Sequence, residues 1–231
     1  EAFRILRTNM EFMGRKEHPA KVITFTSFNE GAGKTFISRN LALTLVFAKK
    51  RVLLLDMDIR KGTLSHHMHG HGHKMGLTNY LADSSVQIDD IIRPVEGVDG
   101  LDIIPAGTVP HHPAERGRGG RLDKLGGELR QRYGYIVADS VPVGIIADAS
   151  IANRVADLTI FVVRAGKLDR RQLPDIESLY QEKRLRNMAL VLNGVDIAHR
   201  GYGYGYGYGY GYGRYGYGYG YGYGKGKKRK K

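Results

Sequence analysis

The chain has 231 residues, no cysteine, and a formal net charge of +13 at neutral pH. Without cysteine there can be no disulfides and no thiolate metal site, and no apolar run approaches the roughly 20 residues of a membrane-spanning helix. Eight of the surplus charges come from Arg200, Arg214, Lys225, Lys227, Lys228, Arg229, Lys230 and Lys231, a stretch with no acid, so the basicity belongs mostly to the end of the chain.

No signal peptide is visible. The chain starts at Glu1 inside a helical pattern, so it is expected to be a fragment, with a membrane-spanning region or an adaptor upstream. Residues 1–13 repeat with helical period. Phe3, Leu6, Met10 and Met13 form one stripe, and Glu1, Arg4 and Arg7 share another face. That second face is either solvated or a charge ladder between subunits.

Residues 22–40 hold the most informative pattern. A β-branched apolar run, Val22 to Thr26, stops at a glycine-bearing loop. The loop opens into an amphipathic helix carrying Phe36, Ile37, Leu41, Ala42, Leu45 and Val46. Strand, loop and helix in this order are what a phosphate-binding loop requires. Gly31 and Gly33 let backbone N–H groups approach phosphate oxygens, and the helix N-terminus adds donors and partial positive charge. Lys34 is placed to reach the β- and γ-phosphates, and the Thr35 hydroxyl to meet Mg²⁺. The glycine that usually opens such a loop is replaced by Phe28.

Residues 51–56 (RVLLLD) read as a strand buried on both faces. It ends in Asp56-Met57-Asp58, two carboxylates that are costly at a buried strand end without a cation. Residues 66–73 carry five of the nine histidines and read as a solvated loop in preference to a metal site. A short strand follows at 101–105. Residues 115–120 (ERGRGG) read as a second exposed loop, and 123–132 as a helix. Tyr133–Asp139 is another buried strand, ending in Asp139-Ser140-Val141-Pro142. Its Asp can hold Mg²⁺ directly or through water. Strands at 158–164 and 188–193 enclose a helix at 170–183. Alternating strands and helices predict an α/β fold with a mainly parallel central sheet flanked by helices. Ligands in such a fold bind at the strand C-terminal ends, where all these motifs lie.

The composition changes after Asp196. Residues 201–224 alternate Gly and Tyr almost strictly, with one break at Arg214-Tyr215, and a basic end follows. Glycine at every second position makes ordering costly, so a disordered tail is expected over 200–231, beside a P-loop domain over 1–199.

These motifs resemble those of the bacterial tyrosine kinases (BY-kinases) of capsule and exopolysaccharide export, which are related to the partition and septum-site ATPases. Ser27–Thr35 matches that family's Walker A. Leu53-Leu54-Leu55-Asp56-Met57-Asp58-Ile59-Arg60 matches its Walker A′, the most specific of the motifs. Ile136-Val137-Ala138-Asp139-Ser140-Val141-Pro142 matches its Walker B, followed by Ala147-Asp148-Ala149. Glu1, Arg4 and Arg7 match its Glu-x-x-Arg-x-x-Arg oligomerisation motif. Two departures stand out. Asn29 occupies the position of the partition ATPases' signature Lys, which favours the kinase branch. Glycine-rich sequence follows His112-Pro113-Ala114-Glu115, where the family usually begins a leucine-bearing helix.

The resemblance implies an ATP- and Mg²⁺-dependent protein-tyrosine autokinase with a P-loop NTPase fold, phosphorylating its own tail between subunits of a homo-oligomeric ring. Glu30, Gly31, Ala32, Gly33, Lys34, Thr35, Phe36 and Asn193 would bind the nucleotide, Asn193 at the adenine. Thr35, Asp56 and Asp139 would hold the metal. Lys34, Asp56, Asp58 and Asp139 would be catalytic, with Asp58 orienting or deprotonating the incoming tyrosine. The acceptors would be Tyr202, Tyr204, Tyr206, Tyr208, Tyr210, Tyr212, Tyr215, Tyr217, Tyr219, Tyr221 and Tyr223. A phosphotyrosine phosphatase is an implied partner, the cytoplasmic face of the inner membrane the implied location, and polysaccharide synthesis and export the implied process. Nucleic acid is not expected. Two other readings compete: a partition-type ATPase switch without kinase activity, and a nucleic-acid-binding protein using the Tyr, Lys and Arg tail. Eleven tyrosines are costly decoration for the first, and the second leaves Asp56, Asp58 and Asp139 without a role.

Overall fold

The computed structural model describes residues 1–13, 20–59, 61–69, 75–108, 118–143 and 153–196. Arg60, Ala147-Asp148-Ala149 and the whole tyrosine tail lie outside the described residues. The chain forms α1 (Ala2–Met13), β1 (Val22–Thr26), α2 (Lys34–Phe47), β2 (Val52–Asp56), α3 (Thr63–His69), α4 (Leu77–Ala82), β3 (Arg93–Pro94) and β4 (Leu101–Ile104). It continues with α5 (Arg118–Arg132), β5 (Tyr135–Asp139), β6 (Leu158–Arg164), α6 (Leu173–Gln181) and β7 (Met188–Asn193). One seven-stranded sheet runs in the order β3-β4-β2-β5-β1-β6-β7. All its pairings are parallel except β3 with β4. This is the expected α/β architecture.

The continuous apolar strands are explained by burial on both faces. Every residue of β1 and β2 is buried. Side chains alternate across the pleat. Ile23, Phe25, Val52 and Leu54 pack with Met10 of α1 and with Leu41 and Leu45 of α2. Val22, Leu53, Leu55 and Ile136 pack on the other face with Leu122, Leu125 and Leu129 of α5. A third cluster joins Phe161 of β6 and Ile176 of α6 to Val143 and Leu185. At the N-terminal end of the strands, Asp157 accepts the Lys21 and Val22 amides at 2.9 Å and a bidentate fork from Arg130 at 2.6 and 2.8 Å. Burial alone would raise the Asp157 pKa, but Arg130 and the two amides outweigh it and hold the carboxyl below its usual range.

Three expectations need correction. Residues 118–120 are the first turn of α5 rather than loop. Each glycine costs about 1 kcal/mol in a helix relative to alanine, but burial of Leu122, Leu125 and Leu129 against the sheet exceeds that; residues 115–117 lie outside the described residues. Residues 66–69 are helical rather than loop, because Leu64 is fully buried and Met68 packs against the core, fixing α3 against the sheet; residues 70–74 lie outside the described residues. The helix placed at 170–183 is a 3₁₀ turn, Arg170–Gln172, followed by α6. Pro174 suits the first turn of α6, where its missing N–H is not needed.

Helix α1 lies on α2, with Phe3 and Phe36 meeting edge to face at 5.8 Å. Glu1 and Arg4 are exposed and 3.9 Å apart, whereas Arg7 turns back toward α2 and donates to Thr44 O at 3.4 Å. The outer surface of α1 exposes Ile5 and Phe12. Among the described residues, no helix is long and apolar enough to cross a membrane.

Candidate functional site

The neighbouring strands β2, β5 and β1 end side by side, and each delivers one part of the site. After β1 the chain turns through Ser27–Gly33 into α2. Gly31 has φ 71° and Gly33 φ 99°, left-handed conformations that favour glycine. Phe28, which replaces the usual glycine, turns its ring into the third core cluster and meets Phe161 edge to face at 5.3 Å. Its side chain thus leaves the loop for the core. Lys34 opens α2, and its Nζ donates to Ser27 Oγ at 3.2 Å. Burial lowers the Lys34 pKa, against the opposing charges of Asp139, Asp58 and Glu30.

Thr35 donates its hydroxyl to Asp139 Oδ2 at 2.5 Å. Asp139 is 2% exposed, and its Oδ1 is buried with no hydrogen-bond partner among the described residues. Burial pushes the Asp139 carboxyl up to about 7, with the Thr35 bond opposing and the Asp56 charge adding to the rise. Asp56 is the register partner of Asp139 across β2 and β5. It is also fully buried, and its pKa is raised by that burial. Ser65, at the start of α3, braces it: Asp56 Oδ2 accepts from the Ser65 amide at 2.8 Å and the Ser65 hydroxyl at 2.6 Å. The Asp58 amide donates to Asp56 Oδ1 at 3.1 Å, and Asp58 Oδ1 accepts from the Lys61 amide at 3.0 Å.

Two buried carboxylates, one with an orphaned oxygen, beside a threonine hydroxyl and a lysine form an incomplete electrostatic set. A divalent cation carried by a polyphosphate would complete it. Among the described residues, no three His, Asp or Glu side chains cluster as a metal cage. A cation taking few protein ligands and the rest from water and phosphate matches Mg²⁺. The residues therefore fit a Mg²⁺–nucleotide.

The structure brings Lys34, Thr35, Asp56, Asp58 and Asp139 to one place, along with the Glu30–Gly33 backbone. Glu30 points outward to Lys61 Nζ at 2.6 Å, which lowers its pKa. The Phe36 ring is 60% exposed and turned toward Phe3, so only its backbone faces the loop. Asn193 ends β7 and donates Nδ2 to Ala32 O at 2.8 Å, which leaves its side-chain oxygen available to an amino group. Glu1, Arg4 and Arg7 stand apart, on α1 and the residue before it. Sequence reasoning missed Ser65 and Arg164. No local pattern marks Ser65, whereas Arg164 closes β6 at a strand C-terminal end, the position that singled out the other site residues.

The family described as AAA domain matches residues 20–182. The tyrosine-protein kinase CpsD of Streptococcus agalactiae serotype III (strain NEM316) is 31% identical over 196 residues, covering 85% of this chain and 82% of that protein. The putative tyrosine-protein kinase EpsB of Ralstonia solanacearum is 35% identical over 199 residues; they cover 85% of this chain but only 26% of EpsB. Among solved structures, the kinase domain of the Escherichia coli tyrosine kinase ETK superposes with a TM-score of 0.74 at 28% identity, covering 89% of this chain and 79% of that one.

Proposed function

The chain belongs to the bacterial tyrosine-protein kinases built on the AAA-type P-loop domain, and on that premise we propose that it transfers the γ-phosphoryl group of ATP to tyrosines of its own tail. Lys34, Thr35, Asp56 and Asp139 converge at the ends of β1, β2 and β5, in a chain that ends in eleven closely spaced tyrosines. That convergence carries the proposal.

Catalysis of this transfer is mostly positioning and charge neutralisation. Backbone N–H groups of Glu30–Gly33 cradle the phosphates, and Lys34 neutralises the charge that builds on them. Thr35, Asp56 and Asp139 would hold Mg²⁺, which would supply further neutralisation of the phosphate oxygens. Ser65 keeps Asp56 turned toward the site. The phenol oxygen of the acceptor forms the new P–O bond as the bond to the ADP leaving group breaks. Asp58 orients the hydroxyl and takes its proton. A free phenol has a pKa near 10, so the proton leaves as the P–O bond forms rather than beforehand.

Asp58→Asn removes the proton acceptor but keeps the metal set. Autophosphorylation is expected to fall about 10²-fold or more, with Mg²⁺–ATP affinity changed by less than about threefold. Calorimetric titration beside a phosphotyrosine assay measures both. Unchanged phosphorylation removes Asp58 from catalysis, and total loss of ATP binding makes it a principal metal ligand.

Transfer runs between subunits of a homo-oligomeric ring, in which Glu1, before α1, and Arg4 and Arg7 of α1 contribute the contact. The assembly works at the inner face of the membrane, through an upstream segment or an adaptor, in polysaccharide export. A phosphotyrosine phosphatase resets it. Mixing full-length Lys34→Met protein with an active, tail-less protein (residues 1–199) tests the transfer. The mutant's tail is expected to become labelled, at a rate that rises with concentration. Labelling confined to an intact active chain, at a rate independent of concentration, defeats transfer between subunits.

A further inference from the structure

The last two strands end in a matched pair. Arg164 of β6 and Asn193 of β7 are register partners, and the Ala165 amide closes the pair on Asn193 O at 2.9 Å. Both side chains reach across to the loop after β1 and take successive carbonyls of it. Arg164 Nη1 donates to Gly31 O at 3.2 Å, and Asn193 Nδ2 to Ala32 O at 2.8 Å. The fit is close: a Cβ on Gly33 would lie 2.2 Å from Asn193 Nδ2.

These bonds have a consequence for the opposite edge of each peptide. In a trans peptide the C=O and the following N–H point in opposite directions. The Gly31 carbonyl shares its peptide plane with the Ala32 N–H, and the Ala32 carbonyl with the Gly33 N–H. Holding both carbonyls toward β6 and β7 therefore turns both N–H groups away from those strands. Glycine at positive φ on either side of Ala32 would otherwise let these planes rotate at little cost. Among the described residues, the loop's carbonyls take one further side-chain donor, Ser27 Oγ to Asn29 O at 2.7 Å.

We infer that Arg164 and Asn193 are positioning residues for the phosphate cradle, fixing two peptide planes so that the Ala32 and Gly33 N–H groups are aimed at the phosphates before nucleotide arrives. The inference rests on the nucleotide-site reading above and assigns the end of β6 a role that no sequence motif covers. It separates the two residues from a purely base-reading role, because a clasp acting through the loop is felt by a ligand that has no base.

The test uses the full chain and two probes, Mg²⁺–ATP and Mg²⁺–tripolyphosphate, titrated calorimetrically. Arg164→Ala and Asn193→Ala are each expected to weaken tripolyphosphate about five- to tenfold, the scale of one lost hydrogen bond. ATP should weaken by at least the same factor. The Arg164→Ala factor should persist at about 0.5 M salt, where a mere charge effect is screened. Arg164→Lys, which keeps the charge but not the planar fork, should recover only part of the loss. Thermal melts without ligand check that each variant is folded, and the conservative Arg164→Lys stands in if the alanine variant is not. Weakened ATP with unchanged tripolyphosphate overturns the inference in favour of base contact. A loss that vanishes at high salt, or is fully restored by lysine, overturns it in favour of charge. Wild-type protein that binds neither probe overturns the nucleotide-site reading itself. Wild-type binding that is lost in Lys34→Met but unchanged in the Arg164 and Asn193 variants overturns the clasp alone.

Discussion

Lys34→Met is expected to abolish phosphotyrosine formation, by about 10³-fold or more, while leaving the fold intact. The Lys34 ammonium is largely desolvated, and its hydrogen bond to Ser27 Oγ is a weak compensation at 3.2 Å. Its favourable neighbours are the charges of Asp139, Asp58 and Glu30, the same acids that repel a polyphosphate once the lysine is gone. Methionine keeps most of the stem's volume and brings no charge that burial must pay for, so the packing around α2 should hold. The substitution thus removes attraction for the phosphates and leaves two buried carboxylates facing them. An anti-phosphotyrosine blot after incubation with Mg²⁺–ATP reads the activity, and circular dichroism with a thermal melt reads the fold. Phosphorylation at the wild-type rate by a folded Lys34→Met protein would sink the P-loop assignment.

The sequence is legible here where physics leaves few alternatives. β1, β2 and β5 could be read from their apolar runs because helices cover both faces, so no solvated positions interrupt the pattern. Asp56 and Asp139 could be read because a carboxylate at the end of such a run needs a partner, and their positions fixed the site to the strand ends. α3 and the first turn of α5 were misread because their composition is poor for helices. Leu64 and Leu122, buried against the sheet, decide their state, and burial is not written in local propensity. β3 is two residues long and α4 only six, too short to show a period. The ring of Phe36 goes to Phe3, a partner 33 residues away in sequence. Ser65 and Arg164 escaped for a related reason. Ser65 acts on Asp56, nine residues before it, through the turn from β2 into α3, and Arg164 acts on Gly31, 133 residues away, which only the sheet order brings near.

Asp139 is where stability and function pull apart. Its carboxyl is buried, its Oδ1 has no partner among the described residues, and burial raises its pKa to about 7, against about 3.9 in an unfolded chain. The proton is therefore bound more tightly in the folded state. Stability from this group is fully present below about pH 4, is lost as pH rises, and is gone above about pH 7. Over that window the cost is about 4 kcal/mol. Asp139→Asn keeps the shape and an acceptor for the Thr35 hydroxyl but never ionises. Without metal or nucleotide, the variant is expected to gain stability over wild type as pH rises from about 4 to about 7, by up to that amount. With Mg²⁺ and ATP the order should narrow or invert, because ligand stabilises only a protein that binds it. Autophosphorylation by the variant should fall at least about 10²-fold, since a neutral amide replaces a carboxylate at the metal. Urea unfolding of both proteins in chelator at several pH values decides it, because wild type and variant that lose stability in parallel across the range would show that Asp139 carries no shifted proton and that its orphaned oxygen is satisfied by other means.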